Sequence, residues 1–338
     1  MARTVLFDEL GGPEVMRVRD VPVGEPGPGE VRIRVDAIGV NRAEALFRSG
    51  VYIEPVKAFP ARLGYEAAGV VEAVGEGVEG LDLGDAVSTM PAFSQNDYGV
   101  YAERAIVPAH AVLRRPEYVS ARTGAAVWMP YVTAYGALVE VGGMRPGDTV
   151  VLNAASSSVG LAAIQVAERT GATAIALTRG EGKKDALLKL GAEHVVVTET
   201  EDVVERVREL TDGRGAQFVF DGVAGPGVLD LAKVVAPDGM LLEYGMLSGL
   251  PTPYPGFELG MPALNMRTYT MHETSRDPER MRRAVAYVNS GLRSGAFRPV
   301  IDRTFDLEDI VEAHRYMASN EQIGKIVVTV SGGDGRGA

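Results

Sequence analysis

The segment Asn153-Ala154-Ala155-Ser156-Ser157-Ser158-Val159-Gly160 joins a continuous apolar run, Thr149 to Leu152, to a helical pattern closed by Gly171. Small residues at such a strand-to-helix turn let a phosphate approach the backbone N–H groups of the helix start. The string is A-x-x-S-x-x-G, carried by Ala154, Ser157 and Gly160, with hydroxyls where a dinucleotide turn usually has glycine. Taken alone it reads equally as a tight helix-strand contact with no ligand. Its place at the head of a run of strand-helix units favours a nucleotide site, with Ser157, Ser158, Val159 and Gly160 around the pyrophosphate.

A second clue lies at the end of the next apolar run, ATAIALT. An acidic residue about twenty positions past the turn accepts hydrogen bonds from the 2'-hydroxyl of NAD. Here that place holds Thr178 and Arg179, with Lys183 close behind. Cations there suit a 2'-phosphate, each contact contributing roughly 1.5–3 kcal/mol, so NADP(H) is expected over NAD(H). The other reading makes Arg179 and Lys183 solvated surface charges.

Composition narrows the remaining chemistry. With 34 Lys and Arg against 45 Asp and Glu, the formal net charge of -11 repels polyanions, and nucleic acid is not an expected partner. There is no Cys, which excludes disulfides, thiolate zinc sites and a cysteine nucleophile. The four His lie far apart and give no metal-ligand spacing. Asp8 and Glu9 interrupt the N-terminus where an export signal needs apolar residues, so a cytoplasmic protein is expected. The longest uncharged window, Thr149 to Ala167, contains Asn153, Ser156, Ser157, Ser158 and Gln165, and reads as strand, turn and helix rather than a membrane span.

These residues need elements to position them. From Met1 to about Leu113 short alternating runs such as EVRIRVDAIGV, GYEAAGVVEAVG and YAERAIV are cut by Gly and Pro, the pattern of a β-rich barrel or open sandwich. From Thr149 strands alternate with amphipathic helices, the pattern of a parallel, doubly wound sheet: TVVLNAA, ATAIALT, HVVVT, QFVFDGV and GMLLEYG are strands, and MRTYTM is a candidate sixth. The helix PERMRRAVAYVNSGLRSG leads to a last strand, KIVVTV, which is expected to rejoin the first domain, and the tail SGGDGRGA is expected to fray. The expected domains are residues 1–126 with 274–338, and 127–273.

The strings GVNRAE, LGYEAAGVVEAVG, GDAV, PYVTAYGAL, RPGDTVVLNAASSSVGLAAIQVA, LLKLGAEHVV and IGKIVV follow one another across nearly the whole chain. In order and spacing they resemble the medium-chain dehydrogenase/reductase superfamily, and within it the zinc-independent quinone oxidoreductases that include zeta-crystallin. Zinc members carry a Cys ligand where this chain has Asn41 and a His ligand in a G-H-E motif where it has Gly64, Tyr65 and Glu66. Without a Lewis acid, simple alcohol oxidation loses its usual alkoxide stabilisation, whereas quinones and enones spread the incoming charge themselves.

The resemblance implies an α/β fold, a GroES-like β-rich catalytic domain plus a Rossmann doubly wound parallel sheet, with substrate in the cleft between them. It implies homodimers through the Rossmann sheet edge, with MRTYTM at the interface. It places Asn41, Tyr52 and Thr133 around the nicotinamide and substrate. Gly222, Val223, Gly245 and Met246 are expected to touch the cofactor through main chain, and Lys325 to lie close to it. Leu46 departs from the pattern, standing where bacterial members commonly have tyrosine.

The expected reaction is hydride transfer from NADPH to a quinone or α,β-unsaturated carbonyl, with Asn41 and Tyr52 donating to the developing oxyanion and Tyr65 and Tyr131 in reserve. Each has a plainer reading: Tyr52 as a packing residue, Asn41 as a tie between loops. Glu66 is read as structural, Asp85 as a local cap and Trp128 as core, while Met129, Met246, Met261 and Met266 read equally as core filling or as an adaptable apolar pocket. A ketone reductase or alcohol dehydrogenase of the same fold, and an NADPH-binding protein without catalysis, are the alternatives.

Overall fold

The computed structural model describes residues 1–261 and 263–330; the tail SGGDGRGA lies outside them. The chain divides into two compact units, one of Met1–Met129 together with the segment from Pro299 onward, the other of Pro130–Arg298. The return to the first unit thus comes at Pro299, later than the residue 274 expected from sequence. The reason is the helix Pro278–Ser294, whose Met281, Ala284, Val288 and Gly291 are buried and whose Tyr287 ring lies 4.6 Å from that of Tyr135 in the second unit.

The first unit is built on a seven-stranded sheet in the order Ile301–Asp306, Lys325–Thr329, Glu30–Val40, Glu66–Val74, Ala86–Thr89, Val112–Arg114, with Arg104–Pro108 also pairing Glu30–Val40. Glu30–Val40 organises it. Its first half pairs antiparallel with Arg104–Pro108 and its second half with Lys325–Thr329, Ile326 opposite Val40. A register shift against Glu66–Val74 between Val35 and Ala37 divides the halves. The alternation seen in the sequence puts Val31, Ile33 and Val35 into a core shared with Val71, Val87, Val107 and Val328.

The second unit is a six-stranded parallel sheet in the order His194–Val197, Thr173–Thr178, Thr149–Leu152, Ala216–Asp221, Val235–Glu243, Asn265–Thr268. Numbered along the chain, this is the 3-2-1-4-5-6 order of a Rossmann sheet, whose strand order reverses between Thr149–Leu152 and Ala216–Asp221. Val150, Val151 and Leu152 are all fully buried, as a parallel strand covered on both faces requires. Asn265–Thr268 is the edge strand that MRTYTM suggested. Among the described residues, no helix is long and apolar enough to cross a membrane.

Candidate functional site

In the second unit the reversal point is built from the ends of Thr149–Leu152 and Ala216–Asp221. Ser157 caps the helix Ser158–Thr170, its hydroxyl accepting the Gly160 N–H at 3.0 Å. Gly160 is demanded by close approach: a Cβ there would fall 2.4 Å from the Ala155 carbonyl oxygen. Ala154 is held at φ 53°, left-handed backbone that costs a non-glycine residue roughly 1–2 kcal/mol. Its N–H is bound by the Asn153 side-chain oxygen at 2.9 Å, which helps to hold the turn.

Asp221 ties this turn to the next. One carboxylate oxygen accepts from Asn153 Nδ2 at 2.9 Å and the Val223 N–H at 2.8 Å, and the other from the Ala224 N–H at 3.1 Å. Burial raises its pKa, and those donors pull it back. Gly222 and Gly245 pack backbone to backbone, since a Cβ on Gly245 would lie 2.6 Å from the Gly222 carbonyl oxygen. The structure therefore brings Gly222, Val223 and Gly245 together, with Met246 half-exposed beside them.

Thr178 is buried at its strand end and Arg179 is exposed next to it. The Lys183 ammonium reaches back to the Ser156 hydroxyl at 3.2 Å, so it stands over the first turn rather than in open solvent. A helix start, a tight small-residue turn and two cations in the loop after the neighbouring strand Thr173–Thr178 fit the phosphates of a dinucleotide. Thr133 is buried in the helix Trp128–Tyr135.

The first unit holds a different arrangement. Asn41 is the N-cap of the helix Arg42–Arg48, and Glu44 turns back to accept its N–H at 2.8 Å and that of Tyr65 at 3.2 Å. The Asn41 amide nitrogen lies 3.1 Å from the Gly39 carbonyl oxygen and 3.4 Å from Glu44 Oε1, so both its hydrogens have acceptors. Its amide oxygen accepts from the Lys325 ammonium. Lys325 also donates to Glu66 Oε2 at 2.6 Å, with their side chains 1% and 0% exposed, and Glu66 Oε1 takes the Met129 N–H at 3.1 Å.

Gly39 makes room for this cluster, because a Cβ there would lie 2.0 Å from the Ala125 carbonyl oxygen and 2.9 Å from both Glu66 Oε2 and Lys325 Cε. Burial pushes the Glu44 carboxyl up to about 7, against the pull of Lys325 and its N–H donors. The structure thus gives the ammonium of Lys325 to Glu66 and Asn41, and it makes Asn41 a tie between elements.

Beside the cluster, Tyr52 is half-buried, its ring 6.4 Å from Phe47 and 6.3 Å from Tyr65. Tyr65 is buried, hydrogen-bonded to Tyr52, and donates to Glu54 Oε1 at 3.1 Å. Burial, then Tyr52 and Glu54, raises its pKa, so at rest it is protonated. Tyr131, the other reserve, is occupied in donating to Gln165 at 2.8 Å. Among the described residues no group of His, Asp or Glu side chains is placed to hold a metal ion.

Sequence reasoning missed Glu44, Glu54 and the clamp role of Asp221. The N-x-x-E spacing of Asn41 and Glu44 is a capping signature that was legible, whereas nothing local marks Glu54.

Residues 27–117 match the alcohol dehydrogenase GroES-like domain family, and residues 158–290 the zinc-binding dehydrogenase family. A quinone oxidoreductase of Pseudomonas aeruginosa is 32% identical, over 97% of this chain and 99% of its own. A 2-haloacrylate reductase of Burkholderia sp. is 31% identical over 97% and 99%. The structure of Escherichia coli quinone oxidoreductase complexed with NADPH superposes with a TM-score of 0.89 at 26% identity, covering 97% of this chain and 100% of that one. The chain belongs to the medium-chain dehydrogenase/reductase superfamily of NAD(P)H-dependent oxidoreductases.

Proposed function

We propose that this protein is a zinc-independent reductase that uses NADPH to reduce a quinone or an α,β-unsaturated carbonyl compound. The observation that carries the reading is the pair Asn41 and Tyr65, hydrogen-bonding residues at the two positions where zinc members have a Cys and a His ligand. Charge arriving on an acceptor oxygen then has to be met by a hydroxyl donor and by the acceptor's own conjugation. The names of two relatives, a quinone oxidoreductase and a reductase of a halogenated acrylate, support acceptors of this kind.

When bound, NADP(H) supplies the hydride. Ser157, Ser158, Val159 and Gly160 would hold its pyrophosphate, Gly222, Val223, Gly245 and Met246 would line its path, and Arg179 and Lys183, beside Thr178, would take the 2'-phosphate. The NADPH named for the Escherichia coli structure supports that choice. Tyr52 is the donor to the acceptor oxygen, and Thr133 lines the pocket. Asn41, with its hydrogens engaged, holds the Tyr52 side of the site through Glu44 and Lys325. Two copies pair through the edge strand Asn265–Thr268, a reading supported by the resemblance.

The test is an acceptor screen with NADPH and NADH in parallel, with and without chelator, using para-benzoquinone, a 2-alkenal and, with oxidised cofactor, a simple alcohol. Chelator-resistant oxidation of NADPH by the first two is expected. Chelator-sensitive alcohol oxidation would overturn the reading in favour of a metal dehydrogenase, and cofactor binding without turnover would make the protein a non-catalytic binder.

A further inference from the structure

We infer that Glu54, Tyr65 and Tyr52 form a proton relay that carries a proton from solvent to the oxygen of the reduced acceptor, with Glu54 as its entry point. The inference rests on the reductase reading and adds to it the source of the proton, which hydride transfer does not supply.

The relay is a continuous line of hydrogen bonds. Tyr52 is bonded to Tyr65, and the Tyr65 hydroxyl donates to Glu54 Oε1 at 3.1 Å. Its middle member, Tyr65, is 1% exposed, whereas its two ends, Tyr52 and Glu54, are half-buried, Glu54 at the loop Ser94–Asn96. Both Glu54 oxygens are oriented, one by the Gln95 N–H at 3.1 Å and the other by the Ser94 hydroxyl at 2.6 Å and Asn96 Nδ2 at 3.5 Å. Among the described residues no Lys or Arg pairs with it at ion-pair distance, and its half-buried side chain is in reach of water.

Rings fix the geometry. Tyr65 is 5.5 Å from Phe93 and Tyr52 packs edge-on to Phe47 at 89°, so neither phenol has to search for its neighbour. With Glu54 ionised, both hydroxyls point outward along the chain, Tyr52 to Tyr65 to Glu54. A proton arriving on Glu54 reverses both.

Each step is then a transfer between oxygens with no change of oxidation state. The acceptor oxyanion takes the Tyr52 proton, Tyr52 takes that of Tyr65, Tyr65 takes that of Glu54, and water reprotonates Glu54. At every oxygen one O–H bond breaks as another forms, and the net uptake is the single proton that accompanies the hydride.

The experiment compares Glu54→Gln, Tyr65→Phe, Tyr52→Phe and the double variant Glu54→Gln/Tyr65→Phe in the NADPH-dependent reduction of a 2-alkenal. The readouts are kcat, solvent deuterium isotope effect, thermal unfolding and dissociation constant for NADPH. Each single variant is expected to lose roughly a hundredfold in kcat with cofactor binding unchanged and a larger solvent isotope effect. The double is expected to be no worse than either single, because one break empties the whole line, and added formate or imidazole should restore part of the Tyr65→Phe and Glu54→Gln rates. If Tyr65→Phe and Glu54→Gln turn over like the wild type, or lose rate only as far as they lose folded protein and without buffer rescue, the relay is overturned while the reductase reading stands. If the wild type reduces no acceptor in the screen, both fall together.

Discussion

Replacing Lys325 with Met tests the buried cluster most directly. The ammonium is the cation that both Glu66 and Glu44 face, and Glu66 is wholly buried. Removing one partner of such a pair strands a charge in the interior, which costs about 3–5 kcal/mol, while removing both and keeping the shape is close to neutral. Lys325→Met should therefore destabilise the first unit by about 3–5 kcal/mol at neutral pH, and Glu66→Gln by a similar amount. The double variant removes the charge from both sides, and its Gln oxygen can still accept the Met129 N–H held by Glu66 at 3.1 Å. It should lie within about 2 kcal/mol of the wild type, a coupling of several kcal/mol. Urea titration followed by far-UV circular dichroism measures all four proteins. A single-variant loss under about 1 kcal/mol, or a double variant equal to the sum of the singles, would refute the reasoning.

Arg179→Ala and Lys183→Ala should each raise the dissociation constant for NADPH about tenfold or more and leave that for NADH nearly unchanged; equal effects on the two, measured by cofactor fluorescence, would remove the 2'-phosphate assignment. Stability against pH carries two opposed contributions. His314, wholly buried beside Arg48 and Arg42, has its pKa pushed down to about 3 from 6.5, so its contribution is present above 6.5 and is lost as pH falls towards 3. Glu44, raised from 4.5 to about 7, contributes stability below 4.5 that is lost as pH rises through 7. Between 4.5 and 6.5 the slopes, each about 1.4 kcal/mol per pH unit, cancel. His314→Gln should therefore tilt the stability profile downward with rising pH in that window relative to the wild type, and Glu44→Gln should tilt it upward; urea midpoints across the window read both, and parallel profiles would contradict the assignment.

Much of the second unit could be read from the sequence because its signals are local. Thr149 to Leu152 is an unbroken apolar run ending in small residues, Asp202 caps the helix Val203–Leu210, and the helix Pro278–Ser294 opens on Asp277-Pro278 and closes on Gly295. Lys325 and Glu66 were not legible as a pair, since 259 positions separate them and they meet because Lys325–Thr329 and Glu66–Val74 both pair antiparallel with Glu30–Val40. The sequence marked Asn41 for its chemistry but could not show that its amide hydrogens are already spent. Glu54 escaped notice because its meaning comes from Tyr65 and Ser94, both distant along the chain.

The split construction of the first unit bears on how the chain is made. As translation proceeds, every strand of the Rossmann sheet has emerged before the segment that bears Lys325. The earlier-made residues must wait with Glu44 and Glu66 facing a gap, beside the half of Glu30–Val40 that has no edge partner yet. Vectorial synthesis therefore favours maturation of the middle of the polypeptide first, and arrival of the final strand is the event that locks the N-terminal portion shut.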